Sequence, residues 1–339
     1  SIIKNSQNHT PAYEIGQLGT IAQENGIKIA VLGNADTIYG VNRNIVLLGM
    51  DEFGPIPYGN VSEELIERNP KSPGGMRSNH NTLLENLEKM LATADIIMID
   101  SGDTTRVEEC SQNCSDEILL IHRRDAIERN DALLGEIINR IDLNNTLLVI
   151  ITPNTTREMR LDNNFGLTPV IMYKPGSGKS LLTSNTTRRP GIVSNTDFLP
   201  TISSYFNLDD KFTKDGFMTL STTNNSMEKI NKQLEFLKKL RKCRNPLHYL
   251  FMFLAFLTLI FGFLIYIGKK QKLLHYMNPL VFSTLSIPII FLFIGYTGYT
   301  SVGGTVFLSL IAALVAALLL RLIIKNPVTV LALLTGITA

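Results

Sequence analysis

The first part of the chain alternates strand-length apolar runs with helix-spaced apolar residues. Apolar runs of strand length occur at Ile27–Leu32, Asn44–Leu48, Ile96–Ile99, Leu147–Ile151 and Pro169–Tyr173. Helical spacing occurs at Ile15–Glu24, Asn81–Ala92, Arg123–Ile141 and Phe198–Phe206. Almost wholly apolar strands that alternate with helices are typical of a mainly parallel sheet covered by helices on both faces. We therefore predict an α/β domain over residues 1–208.

The pattern changes near Leu247, where long apolar runs begin. A membrane-spanning helix needs about 20 apolar residues. Runs of about that length cover residues 247–268, 278–296 and 306–324, and a fourth begins at residue 328. We predict an all-α transmembrane region over residues 246–339, with the lipid bilayer as a partner. Residues 209–245 are then a polar linker that ends in a basic amphipathic helix.

That basic helix, Met227–Lys242, allows two interpretations. It lies on anionic lipid headgroups, or it is a solvated connector that continues toward the membrane. Basic residues also bear on topology, because they favour the cytoplasmic side. Those after the first and third spans place the preceding domain outside the cell, whereas the cluster at Lys238–Arg244 favours the opposite orientation. We expect an integral membrane protein of the cell membrane with an extracytoplasmic domain.

Composition narrows the function classes only slightly. The formal net charge of the 339 residues is +2, which gives no reason to expect nucleic acid as a partner. Cys110 and Cys114 are close enough in sequence for free thiols or a local disulfide, and Cys243 beside the first span raises palmitoylation as an alternative. The segment Lys174–Ser180 lacks the first glycine of a phosphate-binding loop, so we predict no nucleotide cofactor. The chain starts without Met and ends in an apolar run, and we interpret it as an internal piece of a longer protein.

Candidate chemistry is concentrated in the segment Ala94–Thr105. An apolar strand there runs into a polar loop that carries Asp100 and Asp103. Ligands of open α/β sheets bind beyond the carboxyl ends of the strands. The two carboxylates are therefore the predicted floor of a site.

Several segments together resemble a known family. They are Asp100 at a strand end, Arg123-Arg124-Asp125 in a helix, Leu167–Ile171, and the N-T-D-F-L-P-T-I segment at residues 195–202. In this order they resemble the carboxyl-terminal half of the alkaline phosphatase superfamily, which includes cofactor-independent phosphoglycerate mutase, phosphopentomutase and sulfatases. The resemblance covers about residues 13–208. The multi-span tail is similar to that of the membrane-bound ethanolamine-phosphate transferases of this superfamily.

The resemblance implies a site with two divalent metals, such as zinc or manganese, and a Ser or Thr nucleophile. The nucleophile would lie in the amino-terminal part of the family fold, which precedes this chain. Asp100 matches a family metal ligand, and Asp103 is a candidate stand-in for another. Thr104, Asn154-Thr155 and Gly166-Leu167 stand where the family has its remaining His and Asp ligands. Thr and Asn bind transition metals poorly, so the resemblance implies a metal site that is largely lost.

Three functions follow from these patterns. The leading one is a membrane-anchored, degenerate and non-catalytic domain with a binding, sensing or scaffold role at the cell envelope, with other envelope proteins as partners. The second is an active metal-dependent phosphotransferase or phosphohydrolase with an altered site, whose ligands come from Asp36, Asp51, Asp100, Asp103 or His80 and from the missing amino-terminal part of the family fold. The third is a transporter-like membrane protein with a structural soluble domain.

Overall fold

The computed structural model describes residues 16–161, 166–208, 218–222, 225–293, 301–323, 329, 330 and 332. The chain forms two compact units, Ser1–Asn224 and Asn225–Ala339. Each unit has its own apolar core. They are described separately below.

The first unit contains short strands and helices in alternation. Its helices are α1 (Gln17–Glu24), α2 (Val46–Gly49), α3 (His80–Leu91), α4 (Asp103–Cys110), α5 (Asp116–Ile138), α6 (Arg157–Leu161) and α7 (Phe198–Tyr205). Its strands are β1 (Ile29–Gly33), β2 (Tyr58–Asn60), β3 (Ile66–Arg68), β4 (Met76–Ser78), β5 (Ile96–Asp100), β6 (Leu148–Ile151), β7 (Val170–Tyr173), β8 (Ser180–Ser184) and β9 (Met218–Thr222). The predicted helices and the strands at β1, β5, β6 and β7 are found within a few residues of their expected ends, except that α5 begins earlier.

A three-stranded parallel sheet forms the centre of this unit, in the order β2-β1-β5. Successive side chains of a strand point to opposite faces. Ile29 and Val31 of β1 therefore pack on one face with Leu18 of α1 and Ile202 of α7. Leu32 packs on the other face, in a core that includes Leu83 of α3 and Leu133 of α5. The expected helix cover on both faces is present.

The parallel sheet is smaller than the sequence predicts. β6 pairs with β7 in antiparallel register, and β8 pairs likewise with β9. β3 and β4 form a third antiparallel pair. An apolar run shows that a strand is buried, but it carries no information on the direction of the partner strand. The α/β class is confirmed in this coarse form, with parallel pairing confined to β2, β1 and β5 among the described residues.

One predicted strand is wrong. The run Asn44–Leu48 does not enter a sheet, and Val46–Gly49 forms the single helical turn α2. A run of four apolar residues fits a buried helical turn as well as a strand. Gly49 allows this turn to pack closely on β1, because a Cβ there would lie about 3.0 Å from the Ile29 side chain.

Among its described residues, the second unit contains three long helices. They are α8 (Ser226–Ile267), α9 (Leu274–Phe293) and α10 (Val302–Ile323). The predicted basic helix is the first part of α8 and continues without interruption into the first predicted span. The second and third predicted spans fall on α9 and α10, and the start of a fourth at residue 328 lies almost entirely outside the described residues.

Two of these helices, α8 and α10, are long and apolar enough to cross a membrane. The apolar part of α8, residues 247–267, is about 31 Å long at 1.5 Å per residue, which matches the hydrocarbon core of a bilayer. Its large side chains face outward, and Tyr249 and Tyr266 near its two ends are 67% and 81% exposed. Tyrosines at both ends of an apolar helix are typical of the two membrane interfaces.

Candidate functional site

The order of the parallel strands identifies where a ligand would bind. The chain passes from β1 to β2 on one side and later returns to β5 on the other side of β1. Such a reversal opens a crevice beyond the carboxyl ends of the two strands that flank it, and open α/β sheets bind their ligands there. In this unit the crevice lies between the loops that follow β1 and β5. We call it the β1–β5 crevice.

Two glycines bring those loops into backbone contact. Gly33 ends β1 and lies beside Asp100, so that a Cβ at Gly33 would be 1.9 Å from the Asp100 carbonyl oxygen. Gly102 follows β5 with a φ of +69°, and a Cβ there would be 2.1 Å from the Asn34 carbonyl oxygen. Both φ values are positive, a region that side chains rarely adopt. The loops therefore close on each other at the mouth of the β1–β5 crevice.

The guanidinium of Arg106, from α4, occupies this crevice. The residue is 3% exposed. Its Nε donates to the Asp36 carbonyl oxygen (2.9 Å), and its Nη2 donates to the Asn34 carbonyl oxygen (3.0 Å). Its Nη1 donates to Ser78 Oγ (2.9 Å) and to Asp103 Oδ1 (3.0 Å). One side chain thus joins the loop after β1, the loop after β5 and the end of β4.

Asp103 is the central anion of the network. Its Oδ1 accepts from the Ser78 N–H (2.8 Å) as well as from Arg106. Its Oδ2 lies 3.7 Å from His80 Nε2 and 3.5 Å from Arg129 Nε. Arg129 comes from α5 and also donates to the Ser78 carbonyl oxygen (2.7 Å). Two guanidinium groups and an imidazole therefore surround a single buried carboxylate.

These neighbours determine the protonation of Asp103. Burial raises the pKa of a carboxyl group, because it disfavours the charged form. The His80 imidazole, the Ser78 N–H and the positive charge of Arg129, supported by Arg106, act in the opposite direction and prevail. The pKa of Asp103 consequently lies below its usual value, and the side chain is an anion at neutral pH.

Asp100 has a different environment. Its Oδ1 accepts from the Gly102 N–H (2.9 Å) in the tight turn after β5. Burial raises the pKa of Asp100, and neither the Gly102 N–H nor the charge of Arg106 compensates for it. The neighbouring anion Asp103 raises it further. The two predicted site carboxylates are therefore close together, with pKa values shifted in opposite directions.

The other sequence candidates are only partly brought to this crevice. Asp36 lies in the loop after β1, and its carboxylate forms an ion pair with Arg43 (2.9 Å). His80 begins α3 and faces Asp103. Asp51 is used elsewhere, since its carboxylate accepts from the N–H groups of Phe53 and Gly54 in its own turn.

The positions at which the family resemblance expects the remaining ligands are mostly solvated. Thr104 is exposed on the first turn of α4, and Asn154 is exposed in the loop before α6. Thr155 is half-buried, and Gly166-Leu167 form an exposed stretch. Within the described ranges, no group of three or more His, Cys, Asp or Glu side chains is placed to hold a metal ion.

The donor set at the crevice does not fit a divalent cation. A metal ligand needs a free lone pair that faces the ion. Asp103 Oδ1 already accepts from Ser78 and Arg106, and Oδ2, which makes no hydrogen bond to the described residues, faces the guanidinium of Arg129 at 3.5 Å. The fixed charge of Arg106 would repel a dication in the same space. The two metals that the resemblance implies therefore do not fit this arrangement of side chains.

A small cavity lies on the outer side of Arg106. Its volume is about 100 Å³, well below the roughly 300–1,000 Å³ of typical ligand pockets. It has room for a few water molecules. Its wall is formed by Thr37, Ile38, Tyr39, Pro73, Gly74, Arg106, Glu109 and Cys110.

The N-T-D-x-x-P-T-I segment, which carries the most specific part of the resemblance, has a structural role in this chain. Asp197 is completely buried at the start of α7. Its carboxylate accepts from the Ser194 N–H (2.7 Å) and from Thr186 Oγ1 (2.5 Å). Thr201 donates to the Asp197 carbonyl oxygen and accepts from the Met218 N–H. The segment thus closes the helical turn Asn195–Asp197 that leads into α7 and ties α7 to β9.

Sequence reasoning missed Arg106 and Arg129, which complete the network. An arginine in a polar helix usually lies at the surface, so its residue type gave no indication of burial. The available signal was position. Asp103 and Arg106 are three residues apart in a helix that starts directly after an apolar strand, and residues at that spacing share a helix face.

The cysteines are now assigned. Cys110 and Cys114 form a disulfide at the end of α4. Cys243 is a free thiol that is only 1% exposed and packs with Leu247. Its burial argues against palmitoylation, which requires an accessible thiol.

Comparison of the chain with protein-family models, with curated proteins and with solved structures gave no match.

Proposed function

We propose that the chain is a membrane-anchored, alkaline-phosphatase-like protein whose α/β unit is non-catalytic and acts in binding, sensing or scaffolding at the cell envelope. The observation that supports it is the position of Arg106. A guanidinium fills the crevice in which an enzyme of this architecture would hold its metals and substrate. In this proposal the family resemblance reflects the ancestry of the α/β unit. Its present role in binding, sensing or scaffolding belongs to the surface of the unit and not to the crevice.

Electrostatics support a structural role for this network. Loss of one partner of a buried ion pair is costly, because the other charge is then left buried and unpaired. Arg106 uses all three of its nitrogens, with partners at 2.9–3.3 Å. A catalytic cation would have to approach a substrate, whereas this side chain is directed at main-chain carbonyl groups. The network therefore stabilises the junction of two loops.

The membrane anchor in this proposal is the second unit. The apolar part of α8 and the helix α10 are each long enough to span a bilayer. The outward-facing tyrosines at both ends of the α8 span support a transmembrane placement over a buried core helix.

We place the α/β unit outside the cytoplasm, and the Cys110–Cys114 disulfide supports this side. Disulfides persist in oxidising compartments and are rare in the cytosol. The test is labelling of intact cells with a membrane-impermeant maleimide after mild reduction. Labelling of Cys110 and Cys114 before lysis is expected, and labelling only after lysis would place the unit in the cytoplasm. Cys243 is an internal control, because its thiol is buried whichever side of the membrane the α/β unit occupies, and it should therefore stay unlabelled.

The test of the non-catalytic role combines metal content with turnover. The detergent-purified full-length protein is dialysed against zinc or manganese, washed, and assayed for bound metal and for hydrolysis of a generic phosphodiester. Neither stoichiometric metal nor turnover is expected. Stoichiometric metal and turnover that are both lost in Asp100→Asn and Asp103→Asn, but kept in the exposed control Asp125→Asn, would overturn the proposal.

A further inference from the structure

A ring of basic side chains surrounds α8 immediately before its apolar span. Five of the seven residues from 238 to 244 are basic and none is acidic. Four of the five are exposed and Lys239 is half-buried. We call this group the basic collar. It consists of Lys238, Lys239, Arg241, Lys242 and Arg244.

The basic collar covers the circumference of α8 except for one apolar stripe. With about 3.6 residues per turn, Leu240, Cys243 and Leu247 fall on one stripe of α8. That stripe is buried against Ile290 and Phe291 of α9 and against Val302 and Val306 of α10. The basic side chains occupy the rest of the helix circumference at this level. Helix packing therefore leaves Lys238, Lys242 and Arg244 exposed to the surroundings of α8.

The continuity of α8 fixes the depth of the collar. At 1.5 Å per residue, its Cα atoms lie about 5 to 14 Å before Leu247, where the apolar span begins. The headgroup layer on each side of a bilayer is about 5–8 Å thick, and long basic side chains extend along a helix toward it. Tyr249, at the same end of the span, marks the membrane interface. Arg244 and Lys242 thus lie at headgroup level, and the rest of the collar follows within about one further turn of the same helix.

We propose that the basic collar binds anionic phospholipid headgroups. The inference rests on the membrane anchoring proposed above and is independent of the role of the α/β unit. Charge complementarity and depth together select this occupant, because each Lys or Arg residue close to a membrane surface that carries anionic lipid is attracted to that surface. The five charges lie within about two turns of α8, so they face the same region of the membrane surface.

The experiment compares lipid classes on the detergent-purified full chain. Short-chain phosphatidylglycerol and short-chain phosphatidylcholine are titrated separately, and bound lipid is counted by native mass spectrometry. The test variant replaces the five collar residues with Gln. The matched control replaces Lys269, Lys270 and Lys272, at the other end of the same span, with Gln. Unreactive Cys243 and an unchanged helix content show that each variant is folded.

We expect phosphatidylglycerol to bind at least tenfold more tightly than phosphatidylcholine. Each basic residue near the surface contributes roughly fivefold. The collar variant, which loses five charges, should therefore lose most of this preference, and the control variant, which loses three, should lose clearly less. An increase of salt to about 0.5 M should weaken the preference, because these charges are solvated. Glycerol phosphate is the competitor that distinguishes a lipid from a free phosphate ester, and it should not displace the lipid.

Three outcomes would overturn the proposal. The first is equal affinity of the unaltered chain for both lipids, and the second is equal loss of preference in both variants. The third is binding of poly-glutamate to the collar without any preference among lipids, which would identify an acidic polypeptide as the occupant. Failure of the membrane anchor is distinguishable, since the chain would then be extracted from membranes by alkaline carbonate without detergent.

Discussion

Replacement of Arg106 by Met is the sharpest test of the network at the β1–β5 crevice. Met keeps most of the length and apolar volume of the side chain and removes its charge and all its donors. The change leaves Asp103 without its closest cation, which lies 3.0 Å away. It also leaves the carbonyl oxygens of Asn34 and Asp36 without the donors that now reach them at 3.0 and 2.9 Å.

The expected loss of unfolding free energy follows from these contacts. Removal of one partner of a buried ion pair costs about 3–5 kcal/mol. Asp103 keeps the Ser78 N–H and the nearby Arg129, which places the estimate toward the lower end. About 3 kcal/mol corresponds to a roughly 150-fold increase in the open population. That is a large fraction of the 5–15 kcal/mol typical of a domain.

Hydrogen exchange of the detergent-purified full chain measures this directly, because amide protection reports local and global opening. The amides of β1 and β5 should lose about two orders of magnitude of protection in Arg106→Met. Arg106→Lys should lose nearly as much, since an ammonium group cannot reproduce the planar fork of donors. The control is Arg124→Met, because the Arg124 side chain is 81% exposed and pairs with Glu128 on the surface. It should leave β1 and β5 unchanged.

A loss of less than tenfold in Arg106→Met would refute the argument that this guanidinium holds the two loops together. Full protection in Arg106→Lys would refute the part of it that depends on the fork geometry. Equal losses in Arg106→Met and Arg124→Met would show that the effect comes from net charge.

Three further predictions concern buried carboxylates. Asp103→Asn should lower the unfolding free energy by about 3 kcal/mol at pH 7. The difference in unfolding free energy between Asp103→Asn and the unaltered chain should shrink as the pH falls below 3.8 and through the lowered pKa of Asp103. Chemical denaturation at a series of pH values measures this difference. Asp100→Asn should be neutral or stabilising at pH 7, because the pKa of Asp100 is raised and the amide mimics its neutral form; a clear loss of stability in the same assay would contradict this. Asp197→Ala should cost about 2 kcal/mol, since the Ser194 N–H and the Thr186 hydroxyl lose their acceptor; exchange of the α7 amides should report it, and unchanged protection there would count against the capping role.

Local patterns predicted the elements of the α/β unit better than their pairing. The alternation at β1 and β5 and the helical spacing of α3 are local properties, and they were sufficient to locate these elements. Pairing depends on residues that are distant in sequence. β6 and β7 therefore form an antiparallel pair that no local pattern could distinguish from a parallel one.

In the candidate site, too, the features set by local sequence could be predicted and those set by long-range contacts could not. The position of Asp100 and Asp103 at a strand end could be predicted from the sequence. The partners of Asp103 could not, because Ser78 and Arg129 come from other parts of the chain and meet only when β4 and α5 pack together. Arg106 is close in sequence, but its burial depends on two backbone carbonyls contributed by the loop after β1.

The use of main-chain carbonyl groups as acceptors for Arg106 has an evolutionary consequence. Asp36 and Ser101 offer Arg106 only main-chain oxygen atoms, which remain whatever side chain mutation places there. Neighbouring positions can therefore drift without loosening the arginine. The reverse path is narrow, because reopening the crevice requires removal of Arg106 together with new side chains for Asp103 to face, and either change alone is destabilising.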